Sequence, residues 1–214
     1  MEVKMSARNK FISAYTDIDE LLNNFSNPLR SHSRRIAVCS AVIAEYAGEH
    51  LRPYGFSGTK LAVSMHLGGT CHDIGKLVLP TLASAEDDYL RHPVYGAELL
   101  EKNKDRFFIN EAQAQMVLEI VRCHHEQADG NGFPEGLQED DIPLPAAICY
   151  IANELDYLLY AAEKGENSGH GGMNDGFIKI KEQAGRKFCK IAAACFERAW
   201  TQLTELYAEW NQIN

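Results

Sequence analysis

His72-Asp73-Ile74-Gly75-Lys76 is the stretch on which the reading of this chain turns. It follows a run of helical spacing that starts at about Thr59, so an imidazole and a carboxylate stand side by side at a helix end. A carboxylate has two oxygens and can bridge two metals while its neighbour binds one. Lys76 comes about one turn later, faces the same side, and offers a point positive charge to a phosphate.

Outward from this pair, apolar residues recur at three- and four-residue spacing with few alternating β-branched runs, which predicts an all-α fold. Residues 7–25 carry Phe11, Ile12, Tyr15, Ile18, Leu21 and Leu22 at helical spacing and end near Asn27-Pro28. That stripe is compatible with packing on its own domain or with a homodimer. Helices are predicted over residues 31–49, from about Thr59 to the His-Asp pair, from His92-Pro93 to Leu100, over 111–125 and over 144–162. A turn at Arg52-Pro53-Tyr54-Gly55 separates the first two, and Pro80 closes the element after Lys76. Residues 165–176 (GENSGHGGMNDG) hold five glycines and predict a mobile loop, with His170 in it and without catalytic duty. Residues 177–185 and 186–210 complete the expected set as two terminal helices.

With 214 residues, 45% of them hydrophobic, one substantial core and one domain are expected. No run of about 18 apolar residues is present and the polar start resembles no signal peptide, so a cytoplasmic protein with no membrane partner is predicted. A formal charge of −9 disfavours a broad surface that tracks the phosphates of duplex nucleic acid. It leaves room for a local cationic site, which metal ions can supply. The six cysteines include no CxxC pair, and each lies in an apolar stretch, the pattern of reduced structural thiols. Cys71 and Cys123 directly precede candidate ligand histidines, but helix neighbours point about 100° apart, so shared coordination does not follow.

The candidate chemistry lies in where the histidines fall. His32, His72, His92, His124 and His125 each have distinctive local company, whereas His66 reads as core or surface. Several imidazoles with a carboxylate suit iron, manganese, nickel or zinc. A tandem His124-His125 projects two rings about 100° apart from one helix, enough for both to reach a metal in a concave site. Taken singly, a histidine is more often a hydrogen-bonded structural residue, and a lone His-Asp pair arises by chance. The ordered set carries the inference.

That set comprises His72-Asp73-Ile74-Gly75-Lys76, then His92-Pro93-x-x-Gly96, then His124-His125-Glu126-x-x-Asp129-Gly130-x-Gly132-Phe133-Pro134. It resembles the HD-GYP family of HD-domain phosphohydrolases, with GFP in place of GYP. Upstream, His32-Ser33-x-Arg35-Ile36 is similar to the family's first histidine motif. Downstream, Ile142-Pro143-Leu144 and Ala184-Gly185-x-x-Phe188 also match, so the resemblance covers roughly residues 28–200. It implies an HD domain over residues 28–214, a helical bundle with a metal centre between its central helices, and a helix in residues 1–27 packed on it. It further implies two divalent metals, one held by His32, His72 and Asp73, the other by Asp73, His92, His124 and His125. A hydroxide between them would open cyclic di-GMP to pGpG or carry it to GMP. Asp73 and Lys76 take the catalytic roles in this assignment, and Lys76, Asp129, Gly130, Gly132 and Phe133 face the substrate.

Departures from the family pattern shape the alternatives. Asn153 stands where the family has an aspartate ligand, which lowers the charge available to the first metal, and Asp156 three residues on is a substitute ligand near the same helical face. Pro28 replaces the glutamate associated with a third metal, which points to a binuclear or even mononuclear site rather than a trinuclear one. Phe133 keeps the aromatic ring of the signature tyrosine without its hydroxyl. Ala146 and Ala147 occupy the region where an arginine is usual, and the segment from Lys76 to His92 is short. Three readings follow: a cyclic-dinucleotide phosphodiesterase, a catalytically impaired signalling module that acts through metal or nucleotide binding and partner proteins, and an HD phosphohydrolase for another nucleotide.

Overall fold

A proline at its first turn starts the helix that carries His32. The computed structural model describes residues 23–77, 85–160 and 173–213, and its first helix, α1, spans Asn27–Glu45 with Pro28 where an N–H would have no partner. Its buried stripe of Ile36, Ala37, Cys39, Ser40, Ile43 and Ala44 has the three- and four-residue spacing of one helical face. A 3₁₀ segment, Gly48–Tyr54, ends at Gly55 in the left-handed region (φ 72°) and turns the chain into α2, Thr59–Cys71. Then come α3 (Ala85–Lys102), one helical turn at Lys104–Phe107, α4 (Glu111–Cys123), α5 (Leu144–Tyr160), α6 (Met173–Glu182) and α7 (Lys190–Ile213). Among the described residues there is no strand, only isolated bridges, so the fold is all-α as expected.

Two apolar clusters fill the bundle. The larger joins α1, α2, α4, α5 and α7 through residues such as Ile43, Met65, Ile120, Ile148, Ile151, Phe196 and Leu203. The smaller lies between α2, α3 and α4 and includes Leu67, Ile74, Leu100, Val117 and Val121. Missing side chains set how closely these helices approach. A Cβ at Gly69 would sit 2.7 Å from the Ala37 Cα, so α1 and α2 touch backbone to backbone. A Cβ at Gly75 would collide with the His92 carbonyl oxygen and lie 2.6 Å from the Gly96 nitrogen, so the 3₁₀ turn Ile74–Leu77 rests directly on α3. These contacts bring the end of α2 against the middles of α1 and α3.

Several boundaries differ from the sequence-based expectations. His92-Pro93 do not open a helix; they lie inside α3, which starts at Ala85. Proline costs an interior helix one N–H bond and a clash, and here His92, Pro93, Gly96 and Ala97 are buried under the Ile74–Leu77 turn, whose contact offsets that cost. The first helix starts at Asn27 and ends at Glu45 rather than running over 31–49. Met173 to Gly176, expected as loop, form the first turn of α6; Gly176 is buried there because a Cβ would press on Leu155 at 3.2 Å. The last helix begins at Lys190, not at residue 186, because Gly185 (φ 78°) breaks the chain and its N–H donates to the Phe188 carbonyl. Glu139 then caps α7, its Oε1 accepting from the Lys190 N–H at 2.8 Å. The expected helix of residues 7–25, Pro80, and residues 165–172 with His170 lie largely or wholly outside the described residues. No helix among the described residues is long and apolar enough to cross a membrane. All six cysteines are buried and free. Burial pushes the thiols of Cys71 and Cys123 up to about 12, which keeps them protonated beside the histidines.

Candidate metal centre

Four helices deliver the candidate ligands. α1 carries His32 near its start, α2 ends directly before His72 and Asp73, α3 carries His92 mid-length, and α4 ends directly before His124 and His125. The end of α4 is well supported at its far terminus: Asn110 Oδ1 accepts from the Gln113 N–H at 2.9 Å, and Gln113 Oε1 accepts from the Ile109 N–H at 3.1 Å.

Asp73 is the hub, and its side chain is only 2% exposed. Its Oδ1 faces His92 Nε2 at 3.1 Å and His124 Nε2 at 3.9 Å. Its Oδ2 faces Lys76 Nζ at 2.6 Å, His72 Nε2 at 3.4 Å and His32 Nε2 at 3.9 Å. One carboxylate therefore splits its oxygens between two imidazole groups. The structure brings together Asp73, His92, His124 and His125 as one compact group of ligand atoms and His32, His72 and Asp73 as another.

Ring tautomers follow from the acceptors behind the rings. His72 Nδ1–H donates to the Gly69 carbonyl at 2.8 Å, and His124 Nδ1–H donates to the Val121 carbonyl at 2.9 Å. A carbonyl only accepts, so the proton is on Nδ1 and each Nε2 presents a lone pair toward Asp73. His72 Nε2 is buried and completes no hydrogen bond. His124 Nε2 lies 3.2 Å from His92 Nε2, within hydrogen-bond distance. The open Nε2 of His72 is not comfortable for a bare imidazole, because a buried polar atom without a partner costs about 1–3 kcal/mol. It suits a cation. With metal–nitrogen bonds of about 2.1 Å, neighbouring ligand atoms in tetrahedral or octahedral geometry stand about 3.0–3.4 Å apart, the range of the His92–Asp73 (3.1 Å), His92–His124 (3.2 Å) and His72–Asp73 (3.4 Å) separations.

The electrostatics agree with that geometry. Burial pushes the His124 and His125 rings well below the ordinary imidazole value, with the neighbouring histidines adding to the effect. Burial also lowers His72, against the pull of Asp73. Burial alone would raise Asp73, but His72, His92 and Lys76 outweigh it and hold the carboxyl well below its usual range. Neutral imidazoles around an ionised carboxylate are the protonation states that a divalent metal requires of its ligands.

The loop after α4 is shaped by the residues of the motif that follows His124-His125. Glu126, 1% exposed, accepts from the Glu135 N–H at 2.7 Å and the Leu137 N–H at 2.9 Å. A Cβ at Gly132 would lie 2.5 Å from the His125 carbonyl oxygen, so only glycine lets the chain fold back at that point. Phe133 N–H donates to that same carbonyl, and its ring stacks on His125 at 4.6 Å between centroids. Asp129 is exposed, and its Oδ1 accepts from the Asn131 N–H at 3.1 Å, closing a local turn with Gly130. Of the residues expected to face substrate, Phe133 touches the ligand group and Lys76 touches Asp73, while Asp129, Gly130 and Gly132 form the loop itself.

Asn153 lies on α5, half-buried, one turn before Asp156. In the structure the two oxygens of Asp156 are engaged by His32 and Arg35, and Asp156 is in neither of the two compact ligand groups. The sequence could have hinted at this, because Arg35 lies one helical turn beyond His32 and a buried guanidinium requires a carboxylate.

Comparison with known proteins supplies an independent line. The family model described as HD domain matches residues 29–158. A 3'3'-cGAMP-specific phosphodiesterase 2 from Vibrio cholerae is 30% identical over 148 residues, covering 65% of this chain and 27% of that protein. A cyclic di-GMP phosphodiesterase from Thermotoga maritima is 23% identical, covering 92% of this chain and 54% of that protein. The chain thus spans about a quarter to about half the length of these curated relatives. Among solved structures, Bd1817, a HDG"Y"P protein from Bdellovibrio bacteriovorus, superposes with a TM-score of 0.56 at 19% identity, covering 91% of this chain and 62% of that one. That likeness concerns the helical fold.

Proposed function

The chain belongs to the HD domain family, and from that premise we propose that it is a metal-dependent phosphodiesterase acting on a cyclic dinucleotide. The observation that carries the proposal is Asp73, whose two oxygens serve two separate buried imidazole groups, the arrangement a two-metal centre needs. Relatives named for cyclic di-GMP and 3'3'-cGAMP support the substrate class.

Divalent metals at this centre, from among iron, manganese, nickel and zinc, would supply concentrated positive charge and Lewis acidity toward a phosphodiester. His72, Asp73, His92, His124 and His125, all buried, would hold them, with His32 completing the exposed side. His32 and Lys76 have side-chain exposures of 21% and 30%, against 0% for His72, His92 and His124. A substrate therefore approaches along the His32–Lys76 edge. There Lys76 presents its ammonium to the incoming phosphate, and Asp73 holds that ammonium in place at 2.6 Å. Phe133, stacked on His125, fixes the ring orientation of the inner group and offers an aromatic edge to a base. The finer reading is cyclic di-GMP opened to pGpG or carried to GMP.

Asn153 favours a second reading, a signalling module that keeps the fold and works through metal or nucleotide binding and partner proteins, since a neutral amide replaces a charged donor on α5. One assay separates the two. Purified protein loaded with manganese(II) or iron(II) is incubated with cyclic di-GMP and with 3'3'-cGAMP, and products are resolved by chromatography. The phosphodiesterase reading predicts a linear dinucleotide from at least one substrate, abolished by Asp73→Ala. No turnover of either substrate with metal bound would leave the signalling module or an HD phosphohydrolase for another nucleotide.

A further inference from the structure

We infer that Asp156 and Arg35 form a positioning pair that sets the ring of His32 for the outer metal, an inference that rests on the two-metal reading above. His72 and His124 have their Nδ1 atoms held by carbonyls three residues earlier in their own chain segments. His32 has no such local support. Its Nδ1–H donates instead to Asp156 Oδ2 at 2.7 Å, across 124 residues of sequence. Asp156 is nearly sealed, with 3% of its side chain exposed. It is fixed in turn by Arg35, whose Nε donates to Oδ1 at 2.5 Å and whose Nη2 donates to Oδ2 at 3.0 Å. The guanidinium lies over the Tyr160 ring, 3.9 Å from its centroid. Tyr160, Arg35, Asp156 and His32 thus form one chain of contacts from the end of α5 to the edge of the centre.

Three consequences follow from this chemistry. The ionised carboxylate accepts only, so the His32 proton is on Nδ1 and Nε2 turns its lone pair toward Asp73 Oδ2, 3.9 Å away. A fork–fork contact with Arg35 holds the carboxylate in one plane, which fixes the direction of the His32 ring as well as its tautomer. Asp156 also stays where it is when metal binds, because leaving for the metal would strand a partly buried guanidinium. The outer site therefore uses a carboxylate placed behind a histidine, while the α5 position nearer the motif is the neutral Asn153.

Two measurements on the full chain test this. In the metal-free protein, ¹⁵N ring spectra of His32 report its tautomer. On loading with manganese(II), metal analysis and titration report occupancy of each site. Asp156→Asn is expected to shift His32 from the Nδ1–H form toward a mixture, because an amide can donate to Nδ1. It should also weaken the outer metal about 10- to 100-fold while the inner metal is retained. If the single variant fails to fold, the paired Asp156→Asn/Arg35→Gln change removes the two charges together and is expected to give the same result. Unchanged tautomer and unchanged outer affinity in a folded variant overturn the inference. Loss of the outer metal with an unchanged His32 tautomer overturns it too, and makes Asp156 a direct ligand. A wild-type chain that binds no metal contradicts the two-metal reading itself, whereas metal on the wild type that is indifferent to Asp156 contradicts only the positioning role.

Discussion

The two sides of Asp73 are built differently. Around Oδ1, His92 and His124 are fully enclosed, with His125 beside them at 7% exposure, and their rings pack against one another and against Phe133. Around Oδ2, His72 is enclosed, but His32 and Lys76 reach solvent, and His32 is held by a charged pair from α5. The inner side is part of the packed fold, anchored by the ends of α2 and α4 and by α3. The outer side is an edge, where a substrate phosphate would have access in the proposed reaction. A single aspartate joins an enclosed side to a solvent-reaching one, and each side should respond to perturbation in its own way.

The largest contrast is expected between His92→Ala and His32→Ala. Removing His92 deletes a wholly buried ring and leaves Asp73 Oδ1 and His124 Nε2 without it, so the metal-free protein should lose roughly 2–5 kcal/mol and the inner metal with it. Removing His32, whose side chain is 21% exposed and whose lost partner Asp156 keeps Arg35, should cost less, about 1–2 kcal/mol, and should release only the outer metal. Thermal unfolding of both metal-free variants, with metal analysis of the loaded forms, checks this, and equal losses would erase the distinction between the sides.

A middle-sized effect is expected from pH. The folded-state values of His72, His124 and His125 are lowered, chiefly by burial. As pH falls below the ordinary imidazole value of about 6.5, the unfolded chain takes up protons at these rings while the folded chain does not. Stability of the metal-free protein is therefore full above that value and declines below it. Asp73 and Asp156 are also lowered, the effect of burial being outweighed by their histidine and cationic partners. Their contribution is present above the ordinary carboxyl value of about 3.9 and is lost only as pH drops through their lower folded values. Chemical unfolding at a series of pH values should show a first decline beginning near 6.5 and a second at strongly acid pH. Two of the three histidines are on the inner side, and His124→Gln should flatten the first decline.

The smallest effect is expected at Asn153. Restoring a carboxylate with Asn153→Asp should tighten the outer metal about tenfold, ~1.4 kcal/mol, and leave the inner metal unchanged. Titration of the outer site checks it; an effect on the inner metal instead would place α5 on the other side of Asp73.

Much of this centre was legible before any coordinates. His72-Asp73 and His124-His125 announce themselves because paired ligands at helix ends are adjacent in sequence, and His32 and His92 follow from their order relative to them. What holds these residues was not legible, because it consists of contacts between distant backbones. The Gly75–His92–Gly96 approach appears in sequence only as two glycines in separate motifs, and the Gly69–Ala37 contact as a glycine that looks like a helix weakness. Glu126 appears in sequence only as a motif position, without the two backbone N–H groups it accepts from. The contact of Asp156 with Arg35, 121 residues away, is likewise absent from local sequence. Local helix signals failed where tertiary packing overrides them, at Pro93 inside α3 and at Gly176 inside α6.

Whether one carboxylate, Asp73, serves two metals is read from electron paramagnetic resonance of the manganese(II)-loaded protein. Two equivalents bound per chain with the spectrum of an exchange-coupled pair, lost in Asp73→Ala, is the result predicted. Two equivalents with the separate six-line signals of isolated ions, or no manganese bound at all, would contradict it.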